Sequence, residues 1–189
     1  MSTETTKQDK PVVPVTVLKP IATTRFTSES LAQFEAYGIK TGQYWYGMPK
    51  AAPMSIDLPR GALVIEMNNS ENKIHGVGLI LKEGCEKRKP IYSTWNWCRH
   101  TARRDAWMSA AETKEELGRE CFALLERMLF KSRQNQKRWT GITGWTCPDE
   151  RLKERLLAVR VALRREHDAR VIAAVEAEEY LETDDDTAE

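Results

Sequence analysis

Two aliphatic runs, six residues apart, constrain this chain more than anything else in it. Leu63, Val64, Ile65 and Met67 form the first, and Ile74, Val77, Leu79, Ile80 and Leu81 the second. Between them lies Asn68-Asn69-Ser70-Glu71-Asn72-Lys73, a polar turn rich in residues that tolerate positive φ. Such a pattern reads as an antiparallel hairpin spanning about residues 61–81. Neither run alternates cleanly between apolar and polar, so both strands are expected to be buried on two faces, in a small barrel or a helix-covered sheet. Gly76 and Gly78 interrupt the second strand. Glycine there weakens a strand unless it permits a bulge or a close backbone approach.

The 189 residues allow one domain plus tails, and a hydrophobic fraction of 41% supplies a modest core. A formal net charge of +1 says nothing about partners, but the distribution does. From Lys82 to Trp145 there are 14 Lys/Arg against 8 Asp/Glu, whereas Glu176 to Glu189 holds 8 acids and no base. A basic middle beside an acidic end suits an anion-binding surface next to a solvated tail. Cys85, Cys98, Cys121 and Cys147 contain no CxxC pair, which argues against a zinc site. No cofactor or metal is expected. With no signal peptide and no apolar run of membrane-spanning length, the expectation is an intracellular protein, cytoplasmic or nuclear, with reduced thiols.

Along the chain, residues 1–24 read as a disordered or extended arm, polar and then rich in Pro and Val. A short helix follows over Leu31–Tyr37, with Ser28 as N-cap and Gly38 as its stop. Gln43 to Pro49 is a dense aromatic strand, and Pro49, Pro53 and Pro59 mark a loop. Ile91 to Trp97 reads as another strand and Arg99 to Arg104 as a basic loop. Thr113 to Glu116 resembles a capping box opening a helix with Leu117, Cys121, Leu124, Leu125, Met128 and Leu129 along one face. A basic segment, Gln134 to Trp139, and a loop or short strand over Thr140–Trp145 come next. The domain is expected to end near residue 147. A long helix then starts at Pro148, capped by Thr146 or Cys147, and carries Leu152, Leu156, Val159, Leu163, His167, Val171 and Val175 on one stripe as far as about residue 181. The acidic residues 182–189 are expected to be disordered.

No nucleophile motif, phosphate loop or HExxH occurs, and His75, His100 and His167 share no triad-like spacing with Asp or Cys. Catalysis would need a general base, for which Glu66, Asp105 and His100 are the candidates. What the chain does offer is aromatic, basic and amide chemistry. Tyr44, Trp45 and Tyr46 share one strand. Trp95, Asn96 and Trp97 lie close to Arg99, Arg103 and Arg104. Lys131, Arg133, Lys137, Arg138 and Trp139 follow the middle helix. Aromatic faces stack on unpaired bases, cations neutralise phosphates and Asn reads base edges, so these residues outline a candidate nucleic-acid surface. Aromatics alternating in strands are equally what a core requires. The long last helix and the Pro/Val arm also suit an assembly component, viral or ribonucleoprotein, or a homo-oligomer.

Tyr44-Trp45 followed by Pro49, then Gly61-Ala62-Leu63-Val64-Ile65-Glu66, then Ile74-His75-Gly76-Val77-Gly78-Leu79-Ile80-Leu81-Lys82-Glu83, resembles the PUA-like superfamily, and within it the EVE and ASCH branches. The resemblance covers residues 43–97. It implies an α+β fold built on a small, strongly bent β-barrel whose cleft holds a base, either an RNA nucleotide or a modified base flipped from DNA. It also implies that Tyr44 and Trp45 lie near the cleft wall and that Asn68 and Asn69 are pocket residues. Residues 116–144 have no counterpart in the pattern. The expected activity is non-catalytic recognition of RNA or DNA, without membrane association.

Overall fold

The computed structural model describes residues 18–51, 56–58, 60–81, 89–93, 98–131 and 141–185. Along these residues the elements are β1 (Ile21–Phe26), α1 (Ser28–Thr41), β2 (Trp45–Met48), β3 (Ala62–Asn68), β4 (Lys73–Ile80), β5 (His100–Arg103), β6 (Ala106–Ser109), α2 (Ala110–Leu117), α3 (Arg119–Phe130), β7 (Thr143–Gly144) and α4 (Glu150–Asp185). The fold is mixed α+β. A five-stranded sheet runs in the order β6-β4-β3-β1-β7, and β2 pairs with β5 in a separate two-stranded sheet. Among the described residues these sheets do not close into the barrel expected from the sequence.

The hairpin forms as expected, β3 antiparallel to β4 from Ala62↔Ile80 to Asn68↔Lys73, with every residue of β3 buried. Both faces of the five-stranded sheet are covered, which explains the unbroken apolar runs. Leu63, Ile65 and Met67 join one cluster with Leu117, Phe122, Leu125 and Leu129 and with Leu152, Leu156, Val159 and Leu163 of α4. Ala62 and Val64 face the other way, into a cluster with Phe26, Phe34, Tyr46, Met48 and Ala102. Helices α2–α4 therefore cover one face, and α1 with the β2-β5 pair covers the other.

Several sequence expectations shift. Residues 21–24, assigned to the arm, form most of β1, which sits inside the sheet, parallel to β3 and antiparallel to β7. Residues 1–17 lie outside the described part. Helix α1 starts earlier, with Thr27 rather than Ser28 as N-cap, and runs past Gly38 to a left-handed Gly42. Gly38 is a contact glycine, where a Cβ would collide with the Tyr44 ring. The supposed basic loop 99–104 is largely β5, whose Thr101 and Ala102 are buried while His100 and Arg103 face out. Ile91–Ser93 is not strand, and residues 94–97 lie outside the described part. The capping box belongs to Ser109 and Glu112 rather than Thr113 and Glu116, and Gly118 divides the middle helix into α2 and α3. Asp149, not Thr146 or Cys147, caps α4, its Oδ1 accepting from Leu152 N at 2.8 Å. The helix extends to Asp185, beyond the expected end.

Candidate functional site

Glu66 is the only acid in a strand of otherwise uncharged, buried residues, and it is 0% exposed. A carboxylate sealed in this way needs a cation and several donors. The fold brings them from three directions. Oε1 accepts from Tyr46 Oη at 2.6 Å and Arg104 Nη1 at 3.2 Å, and Oε2 accepts from Trp107 Nε1 at 2.9 Å. The Arg104 side chain is itself 5% exposed. Its guanidinium lies 4.0 Å from the Tyr44 ring centroid, 4.8 Å from Trp107 and 4.9 Å from Phe34, an aromatic cage for a buried cation. Burial, followed by the Glu66 charge, pushes the Tyr46 hydroxyl well above the usual tyrosine range.

Local sequence explains how these groups meet. Glu66 pairs with Gly76 and Met67 with Ile74, so His75 is an extra, bulged residue on β4. The bulge re-aims its imidazole, placing Nε2 3.1 Å from Glu35 Oε1 and 3.9 Å from Glu66 Oε2. A Cβ on Gly76 would meet Trp107, and one on Gly78 would collide with the Tyr46 hydroxyl, so both glycines permit close approach to the network. Arg104 and Asp105 carry the chain between the two sheets, from β5 to β6. Asp105 is engaged there, accepting from Leu81 N at 2.9 Å and Arg103 Nε at 2.6 Å.

A cleft of about 460 Å³ opens elsewhere, where β1 ends and α1 begins. Its lining includes Arg25, Thr27, Gln33, Asn69, Tyr92 and Ser93. Three backbone features converge here: the C-terminal ends of the parallel strands β1 and β3, paired at Phe26↔Asn68, and the first turn of α1. Ligands of open α/β sheets favour such strand ends, while the first N–H groups of α1 are already taken, Ser28 N by Ser70 Oγ and Ser30 N by Thr27 Oγ1, each at 3.1 Å. Gln33 ties α1 to the opposite wall, with Oε1 accepting from Ser93 N at 2.9 Å and Nε2 donating to Ser93 Oγ at 3.3 Å and Glu29 Oε1 at 3.2 Å. Tyr92 is held by a hydrogen bond with the Gly47 backbone, and burial pushes its hydroxyl far above the ordinary range. Arg25 Nε is buried with no hydrogen-bond partner, and burial lowers the pKa of the guanidinium.

The candidate residues named from sequence therefore separate into groups. Tyr44, Tyr46 and Arg104 come together, but Tyr46 is 1% exposed and the three form the interior cage around Glu66 rather than an open stacking wall. Asn68 is also buried and serves the hairpin turn, its Oδ1 accepting from Ser70 N at 3.0 Å. Asn69 does line the cleft. Trp45 is half-buried on β2, on the same face as the cleft residue Gly47, with Lys89 Nζ 4.2 Å from its ring centroid. Arg103 pairs with Asp105, Arg99 is exposed before β5, and Lys131 is exposed at the end of α3; none of the three lines the cleft. Trp95, Asn96, Trp97, Arg133, Lys137, Arg138 and Trp139 lie outside the described residues.

Of the candidate bases, Glu66 is locked in its ion pair and Asp105 in its two hydrogen bonds, while His100 is exposed on β5. Gln33, Tyr92 and Ser93 escaped the sequence reading because they belong to no motif. The one signal was a strand running straight into a Thr-Ser-x-Ser helix start. Cys98, Cys121 and Cys147 are buried free thiols. Among the described residues no group of three or more His, Cys, Asp or Glu could hold a metal ion, and no helix is long and apolar enough to cross a membrane. The chain matches no protein-family model, no curated protein and no solved structure.

Proposed function

We propose that the protein binds nucleic acid without catalysing a reaction, taking one unpaired base of RNA, or a modified or flipped base of DNA, into the cleft between β1, α1 and Tyr92. The observation that carries this reading is the cleft itself. Its volume of about 460 Å³ lies within the range of small-ligand sites. Its walls offer hydroxyls, amides and the Tyr92 side chain, the groups that match the edges and faces of an uncharged heterocycle. Asn69 supplies an amide from the position that the PUA-like resemblance implies for a pocket residue. Trp45, on the Gly47 face of β2, is the aromatic placed to stack on a neighbouring base, and Lys89 adds positive charge beside it.

The test is fluorescence anisotropy with single-stranded RNA and DNA oligonucleotides over a range of salt. Affinity is expected to fall steeply as salt rises, because cations on the protein displace counterions from phosphates. Ser93→Trp fills the cleft from its exposed side and is expected to weaken binding about tenfold or more, the worth of one well-held base. Absence of binding to either polymer, salt-independent affinity, or unchanged affinity in Ser93→Trp would overturn the proposal.

A further inference from the structure

The floor of the cleft holds hydrogen-bonding groups that the fold leaves unused. Thr24 is 5% exposed and lines the cleft. Its side chain leaves β1 on the same face as those of Ala22 and Phe26, which pack beneath α1 and β2. Among the described residues nothing hydrogen-bonds to the Thr24 hydroxyl. A hydroxyl buried without a partner costs stability, so this one calls for a partner from outside the chain. The next residue offers its main chain. Residues of β1 bond alternately to either neighbour: Phe26 O accepts from Asn69 N on the β3 side, and Ile21 O from Trp145 N on the β7 side. Arg25, like Ile21, therefore turns its N–H and C=O toward β7. Strand β7 stops short of it, since Thr23↔Thr143 is the last pair. Gly141, which would oppose Arg25, has φ 76° and stands in the cleft wall instead. The Arg25 N–H and C=O thus front the cleft with no strand partner among the described residues, while its side chain goes to the Ile21 face.

These groups are neutral: one main-chain donor, one main-chain acceptor beside it, and one hydroxyl able to act as either. A strand partner would complete the main-chain pair with the C=O and N–H of a residue. The Watson–Crick edge of an unpaired base does the same, because every base sets an acceptor next to a donor there. Resting on the base-binding reading, we infer that the base enters edge first, with its Watson–Crick edge on Thr24 Oγ1 and on the Arg25 N–H and C=O. This names the class of base admitted. Substituents that leave the edge free, such as a methyl on pyrimidine C5, are accepted. A methyl on the edge itself, at N3 of a pyrimidine or N1 of a purine, removes a hydrogen bond and collides with the β1 main chain. A base paired in a duplex has its edge already occupied and is excluded.

The four ribonucleosides are titrated into the isotope-labelled full chain and followed by its amide resonances. The Arg25 N–H is expected to shift among the most. The tightest-binding nucleoside should weaken about tenfold or more when methylated on its edge, as 3-methyluridine, 3-methylcytidine, 1-methyladenosine or 1-methylguanosine. 5-Methyluridine should match uridine. Thr24→Val deletes the hydroxyl and keeps the shape of the side chain. Because that hydroxyl has no partner in the free protein, the variant should melt at or above the wild-type temperature, while nucleoside binding falls about fivefold or more. A Thr24→Val chain that melts lower, or that binds as the wild type does, would overturn the inference. So would an Arg25 amide unmoved by any nucleoside, or equal binding of the edge-methylated form. Anisotropy with oligonucleotides keeps the two readings apart. Salt-dependent binding that survives these failures leaves the base cleft standing without its edge-first geometry. Nucleoside shifts at Arg25 without oligonucleotide binding leave the edge site standing without the polymer.

Discussion

Removing one partner of a sealed ion pair costs far more than the pair contributes, because the surviving charge is left without water or counterion. Arg104→Met strands Glu66 in the interior and is expected to destabilise the protein by about 3–5 kcal/mol, measured by urea denaturation. Adding Glu66→Leu to that variant should recover a large part of the loss, since the uncompensated carboxylate is gone. The same site leaves a spectroscopic mark. Of five tyrosines, Tyr46 and Tyr92 have hydroxyls raised above the ordinary value of 10.0, chiefly by burial. Folding thus favours their neutral forms. Their contribution is fully present below pH 10 and is lost as pH climbs above it toward the folded-state values. An alkaline titration followed by phenolate absorbance should show these two rings ionising together with loss of structure, at a pH above the ordinary tyrosine value. Phe at both positions should remove that late step.

At the level of elements, the hairpin was legible because two aliphatic runs flank a turn, and α4 because its stripe recurs every three or four residues. Strand β1 was hidden by its surroundings: Ile21-Ala22-Thr23-Thr24 directly follows a proline-rich stretch and is too short to show periodicity. β5 was hidden by composition, since His100 and Arg103 advertise a loop while Thr101 and Ala102 alone carry the buried face. Helix α4 itself is fully packed only as far as Leu163. Its four fully packed aliphatic residues contribute about 1.5–3 kcal/mol each, roughly 6–12 kcal/mol together, comparable with the whole stability of a domain. A chain ending at Cys147 is therefore expected not to fold, by circular dichroism and proteolysis. One ending at Arg170 should melt within a few degrees of the full chain.

Seen whole, the molecule is a sheet with both faces covered, and this double burial decides where the sequence-based site was misread. Aromatic and basic side chains on the second face are not surface groups, because α1 and the β2-β5 pair close over them. Glu66 carried the clue: a lone acid amid Leu-Val-Ile-Met draws Arg104 and Tyr46, two of the candidates for phosphate contact and stacking, inward together with Trp107. The cleft at the end of β1 draws its walls from β1, α1, the 91–93 segment and the residue after β3, an assembly that exists only after folding. The placement of β1 inside the sheet, between β3 and β7, also bears on biosynthesis. Its neighbours are Leu63 on one side and Gly144 on the other, so a nascent chain emerging from the ribosome holds an unpartnered strand edge until residues near 144 appear, and an uncovered sheet face until α4 follows. Acquisition of the native state is thereby postponed until α4 has been made, and a polypeptide released before that point presents a sticky intermediate rather than a smaller working version of the protein.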